Sequence, residues 1–412
     1  MWLSYLRLRW SRQNALPAIR LLSWGEYFRA LLTSLSVAAL LPMVSAGHAA
    51  TLTVGTGQMY NKPSQAFAAA KDGDTILVDG GTYIDDFAVV RQNRLHIEGV
   101  NGRPVIKQSR TSIIPNGKAL WVINGARITI KNFEFSNAHC NNNCEGIRVE
   151  ATGTVISDST FHHNEFGLLS AALPNVSVEI RNSEFYLNGG THTLCHQIYI
   201  AGEYLVFKYN YIHDAPCDGH LLKTRAKHNY ILYNRITAEE GDQSSYEIDV
   251  PVGGETYIIG NIVEKAATTN NSTMIAYGEE GSQGVNPPNP IQAIYVFNNT
   301  MVNDSASGTF ILQANSSATT QITNNLAVGP GALVSGAPLD AGNVATQMPF
   351  FVDRSKYDYR LTSRSPAINK AVMPGTSTFG FSLRSSKEYR HPTSFQPRQT
   401  VLDAGAYEYA PQ

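Results

Sequence analysis

Eight short segments of this 412-residue chain end in an apolar residue and recur at near-constant intervals: "NFEF" (132–135), "DSTF" (158–161), "NSEF" (182–185), "YNYI" (209–212), "YNRI" (233–236), "GNIV" (260–263), "NNTM" (298–301) and "NNLA" (324–327). Their final residues lie 26, 24, 27, 24, 27, 38 and 26 positions apart, the period of a solenoid turn with one longer insertion. Within the turns, "RITIKNFEF", "QIYIAG", "YEIDVP" and "TFILQA" alternate apolar and polar residues, as a strand with one buried face does. No helical period recurs. Two positions before each final residue stand Phe133, Ser159, Ser183, Asn210, Asn234, Asn261, Asn299 and Asn325. Stacked asparagines can hydrogen-bond from turn to turn as a ladder, and the tolerance of Asn for left-handed backbone suits a tight corner. The expected architecture is an all-β parallel β-helix.

The N-terminus stands outside this repeat. Arg7, Arg9, Arg12, Arg20 and Arg29 precede "ALLTSLSVAALLPMV" (30–44) and the small residues of "SAGHAA", the pattern of an export signal cleaved near Ala49 or Ala50. A signal anchor is the rival, but the apolar run is short for a span of about 20 residues. Residues 1–49 are therefore set aside as a signal peptide, and the mature chain is expected in the periplasm or outside the cell, with no membrane span. Without their five Arg and one Glu, the formal net charge moves from −1 to −5. No basic block remains to suggest a nucleic-acid partner.

Cys140, Cys144, Cys195 and Cys217 all lie in the exported part, where disulfides form. "CNNNC" reads as a loop staple rather than half a metal site, for no second pair is suitably placed. Cys195 and Cys217 fall at nearly matching places on adjacent turns, so a bridge between their loops is expected, subject to disulfide geometry.

The repeat, with "TLTVGTGQMYNKPSQAFAAAKDGDTILVDGGTY" (51–83) at its start and "YDYRLTSRSPAINKA" (357–371) and "DAGAYEY" (403–409) at its end, resembles the right-handed parallel β-helix proteins of the pectate-lyase-like superfamily. That resemblance implies a short helix, about Ser64 to Lys71, covering the first turn, β-helix over residues 50–340, and an irregular capping tail over 341–412 of the same domain. Such covers shield the unpaired strand edges of an open solenoid. The resemblance is specific for fold; lyases, hydrolases, epimerases and inert adhesins share it.

Aligning the turns sets "HQIYIA" (196–201), "HLLKTR" (220–225), "YEIDVP" (246–251) and "MIAYGE" (274–279) side by side. With Ile198, Leu222 and Ile248 inward, the opposite parity puts Gln197, Tyr199, Lys223, Arg225, Glu247 and Asp249 outward. Tyr199, Lys223 and Asp249 then form one column, about 4.8 Å per rung. The turns leading into these strands add His192, His196, His213, Asp214, Asp218, His220, Glu239, Glu240 and Asp242. Such a groove suits a polyanionic sugar chain, and Tyr199, Tyr246 and Tyr277 offer rings to stack on pyranoses.

β-Elimination on a uronate needs its carboxylate neutralised, a base for the C5 proton and a proton for the departing O4. "LLKTRAKHNYILYNRI" (221–236) is similar to the lysine strand of the chondroitinase B and alginate lyase group, and this likeness implies Lys223 as base. Neighbours such as Arg225 and partial burial are expected to depress its pKa from near 10.4. That group bears an arginine on the next rung where this chain has Asp249, so the acid is open among Arg225, His196, His220 and Tyr199. His213, Asp218, Tyr246, Glu247, Asp249 and Tyr277 are the candidate substrate contacts. Calcium would suit the carboxylates of Asp214, Glu239 and Asp242, although no dedicated loop motif is present; the histidines lack a zinc spacing.

The expected function is an exported lyase acting on an acidic polysaccharide as a monomer. A C5 epimerase shares its first step. A glycoside hydrolase using Asp218 and Asp249 at a separation of roughly 6.5–9.5 Å, or a carbohydrate-binding surface protein without chemistry, are the alternatives. "GEEGSQGVNPPNP" (278–290) accounts for the long step and reads as a lid or a plain insertion beside the groove.

Overall fold

The computed structural model describes residues 49–140, 143–189, 195–239, 241–400 and 402–411. Residues 1–48 of the expected signal, His192 and Glu240 lie outside the described residues. Each turn contributes three strands, and every strand pairs in parallel with its counterpart one turn on. Three sheets result. The first runs from Thr51–Val54 to Thr319–Thr323. The second runs from the end of Thr75–Ile84 to Val344–Thr346, and the third from Ala88–Val90 to Ala332–Ser335. No helix among the described residues is long and apolar enough to cross a membrane.

The corner between the first two sheets is the asparagine ladder. Asn210 donates to Asn234 Oδ1 from its backbone N–H at 2.9 Å and from Nδ2 at 3.1 Å. The same double contact links Asn234 to Asn261, Asn261 to Asn299, and Asn299 to Asn325. Asn343, outside the eight segments, adds one more step. The left-handed residue of the corner is not the ladder residue. It is the one before it, as in Asn182 (φ 51°), Tyr209 (60°), Tyr233 (56°) and Asn298 (51°). The ladder side chain must point inward to reach the next rung, so the preceding residue takes the bend.

Inside, like residues stack on like. Phe135, Phe161 and Phe185 lie ring over ring at 5.1 and 4.7 Å, completely buried, because a repeat presents the same inward position to every turn. Near the N-terminal end the helix Pro63–Ala69 packs Phe67 against Trp121 at 4.9 Å. The C-terminal tail runs back along the flank of the solenoid. Phe395 stacks on Tyr209 at 4.1 Å, Thr393 accepts from Asn182 at 2.7 Å, and Thr378 meets the Tyr295 hydroxyl at 2.7 Å. Cys140 is bonded to Cys144, and Cys195 to Cys217.

Candidate functional site

The register of the third sheet aligns Ile198, Leu222, Ile248 and Ile275 inward, and Tyr199, Lys223, Asp249 and Ala276 in the adjacent outward column. The two disulfide-tied loops, ending in Cys195 and Cys217, enter the strands that carry Tyr199 and Lys223. Lys223 Nζ lies 2.9 Å from Asp249 Oδ2 and 3.3 Å from Glu280 Oε1. Arg225 donates from Nη1 to the Tyr199 hydroxyl and from Nη2 to both Glu280 oxygens, at 2.6 and 2.5 Å. Asn286 Nδ2 completes the grip on Glu280 at 2.6 Å.

Glu280 belongs to a single helical turn, Glu279–Ser282, that follows left-handed Gly278 (φ 79°) at the end of the strand Thr273–Tyr277. The insertion that lengthens the repeat thus folds over the outward column. It places a carboxylate against the two cations that the alternation predicts.

Electrostatics invert one expectation. Burial and Arg225 do press Lys223 downward, but Asp249 and Glu280 outweigh them, and the net shift is upward. Lys223 is held as an ammonium. Asp249 has the reverse history: burial opposes its charge, yet hydrogen bonding and charge from His220, the Lys223 ammonium and the Glu279 carboxyl hold it well below the usual carboxylate range. Burial and then the adjacent Asp249 push Glu279 up to about 8, so at neutral pH it is a neutral acid beside Asp249.

Two histidines stack on this column. His196 and His220 lie ring over ring at 4.7 Å. The backbone N–H of His220 donates to His196 Nδ1 at 2.8 Å, and that of Tyr246 to His220 Nδ1 at 3.3 Å. In each ring Nδ1 accepts a backbone N–H, which leaves Nε2 to carry the proton, and in His220 that nitrogen faces Asp249 Oδ2 at 3.2 Å. Neither has a free lone pair with which to take a proton. His196, buried against Phe166 and its own rung, is pressed well below its ordinary pKa by burial, then by His220 and Lys223.

Several expected contacts fall elsewhere. Tyr277 shares the parity of Ile275 and is fully buried, its hydroxyl donating to Gly254 O at 2.8 Å. Glu247 is also fully buried, paired with Lys265 Nζ at 3.0 Å, because strand alternation does not extend into the loop before the rung. Gln197, expected outward, is buried too and closes a second polar ladder through Asn188 at 2.7 Å. Tyr246 is half-buried beside His220 at 5.0 Å, and Asp218 is exposed on the disulfide-tied loop. His213 sits on the second sheet, not the third. Although burial opposes its charge, Asp214 and Glu184 raise it to about 9.

The expected calcium ligands do not fit a cation. Asp242 is spent on the backbone N–H groups of Ala215 (2.6 Å) and Ser244 (2.5 Å). Asp214 and Glu239 do converge with His213, but His213 is an imidazolium there and Glu239 is paired with Arg235 at 2.7 Å. Two positive groups already balance this cluster. Glu279 and Glu280 lie in the insertion expected as a lid or a plain loop beside the groove, and their signal in the sequence is a pair of adjacent acids where the repeat breaks.

By sequence, no protein-family profile and no curated protein matches the chain. By structure, a pectate lyase, Pel9A, superposes over 88% of this chain and 96% of its own with a TM-score of 0.55 at 13% identity. An alginate lyase from Paenibacillus sp. str. FPU-7 covers 72% of this chain and 98% of its own, at TM-score 0.47 and 13% identity. The chain has the parallel β-helix fold of the pectate-lyase-like proteins.

Proposed function

We propose that the chain is an exported lyase that cuts an acidic, uronate-containing polysaccharide by β-elimination on the outer face of the third sheet. One observation carries this reading: the Glu280 carboxylate bridges the Arg225 fork and the Lys223 ammonium, as the carboxylate of a uronate would once Glu280 swings away. Charge-assisted bonds of this kind are strong and geometrically selective.

The roles follow from protonation. Arg225 neutralises the substrate carboxylate and acidifies C5–H. Tyr199, whose oxygen already accepts from Arg225, is the group placed to take the C5 proton, passing its own hydroxyl proton to solvent in the same step. Lys223, one rung away and held cationic by Asp249, donates to O4. The C5–H electrons form the C4=C5 bond, the C4–O4 bond breaks with its pair on oxygen, and solvent returns the proton from Tyr199 to Lys223. Lys223 as base, implied by the family likeness, asks for a neutral amine, and the upward shift runs against it. The hydrolase alternative is less well served. The exposed Asp218 and the buried Asp249 are unlike partners for that chemistry.

Incubation of the mature chain with pectate, alginate and glycosaminoglycan uronates should yield ultraviolet-absorbing unsaturated ends equal in number to new reducing ends. Reducing ends without absorbance would replace the lyase by a hydrolase, and a change of C5 configuration by NMR without cleavage would indicate an epimerase.

A pH dependence follows from Glu279. Its folded pKa is raised, so its contribution to holding the Glu279–Ser282 turn is complete below about 4.5 and lost as pH rises through about 8. Ionised, it repels Asp249 and frees Glu280. KM should therefore fall severalfold between pH 7 and pH 9, and Glu279→Gln, which stays uncharged at all pH values, should flatten that profile.

A further inference from the structure

A cavity of about 570 Å³ lies away from the third sheet, between Arg235 on the second sheet and the C-terminal tail. Its volume falls within the ~300–1,000 Å³ of small-molecule sites. Arg235, Lys356, Arg360 and Arg390 line it against a single lining carboxylate, Asp358, and three tyrosines, Tyr357, Tyr389 and Tyr407, supply its aromatic surface. In a chain whose mature part is net negative, such a lining selects anions.

One cation is built in and three are exposed, Lys356 among them paired with Asp353 at 3.1 Å. Arg235 is 7% exposed, and its guanidinium carbon lies 5.0 Å from the Tyr211 ring and 5.6 Å from that of Tyr357. Its Nε and Nη2 are committed to Thr237 and Glu239; Nη1 has no hydrogen-bond partner among the described residues. Arg360 is fixed by both oxygens of Asp358, at 2.8 and 2.6 Å. Arg390 ends a strand, Lys387–Arg390, held in antiparallel pairing to Ser394–Pro397, and its guanidinium has no ion-pair partner among the described residues.

We infer that this cavity is a second binding site for a uronate unit of an acidic polysaccharide, Arg235 and Arg390 reading the carboxylate and the accessible rings of Tyr357 and Tyr407 the pyranose face. The choice of a uronate over other anions rests on the lyase reading. It would anchor a polymer on a face different from the one where it is cut. Lysine and arginine alone would serve any small anion; the tyrosine walls are what call for a ring.

Calorimetry on the full mature chain tests this, with Tyr199→Phe to prevent turnover. The probes are hexamers and monomers of galacturonate and mannuronate, a neutral cello-hexaose and inorganic sulfate. Two uronate sites are expected. Arg390→Glu, at an exposed position, should weaken one of them at least tenfold while leaving turnover of trimers by the otherwise unaltered chain unchanged; Arg225→Ala should remove the other. A preference for hexamer over monomer identifies a chain as the ligand, and equal affinity per unit identifies free uronate; both support the site. The inference is overturned if Arg390→Glu leaves every uronate affinity unchanged, if cello-hexaose binds the cavity equally, or if sulfate binds it and no uronate does. Loss of the lyase reading has a different signature: no unsaturated product, with binding that Arg390→Glu still abolishes.

Discussion

Tyr199→Phe is expected to lower kcat by about 10²–10⁴-fold, the range of a lost general acid or base, while leaving KM and the thermal midpoint nearly unchanged. The ring and its contact with His196 at 5.6 Å remain; only the hydroxyl that accepts from Arg225 is lost. Lys223→Ala should lower kcat by a similar factor, but it also strips Asp249 of its cation and so destabilises the fold by ~3–5 kcal/mol, as for a broken buried pair. A uronate carrying an activated leaving group separates the two roles. Such a substrate does not need protonation at O4, so it should restore turnover to Lys223→Ala and not to Tyr199→Phe. Rescue of Tyr199→Phe alone would exchange the roles and return the base to Lys223.

The second large effect is on stability. Asn234→Ala deletes an acceptor shared by the backbone N–H and the side chain of Asn210, and donors to Phe207 O (2.9 Å) and Asn261 Oδ1 (2.9 Å). All these groups are sealed from water. With each buried, unsatisfied group costing ~1–3 kcal/mol, partly relieved by relaxation, a loss of about 3–5 kcal/mol is expected in the denaturant midpoint analysis. Asn343→Ala, on the half-exposed last step of the ladder, is expected to lose about 1 kcal/mol, since water can replace what it held. Equal losses at the two positions would mean that the ladder does not draw its strength from burial.

Much of this could be read from the chain. The repeat sets which residues stack, and the alternation within "HQIYIA", "HLLKTR" and "YEIDVP" places Tyr199, Lys223 and Asp249 in one column, as the strand register bears out. The matching positions of Cys195 and Cys217 likewise foretell their bridge. Parity also points Tyr277 inward with Ile275, against the expectation drawn from its ring chemistry. Glu247 and Gln197 misled because each stands at the edge where strand periodicity gives way to a corner.

What the sequence by itself determined is the solenoid and the composition of its third-sheet face, because both depend on a short-range period that every turn repeats. Only the tertiary structure decided the protonation and the cover of the site. The Lys223 ammonium, the neutral Glu279 and the Glu280 carboxylate across Arg225 arise from groups 26 to 57 residues apart, whose meeting depends on how one irregular insertion folds. The cationic cavity has the same origin. It joins Arg235 to a tail more than a hundred residues further along, and charges so distant in the chain acquire a common field only when the fold brings them within a few ångströms.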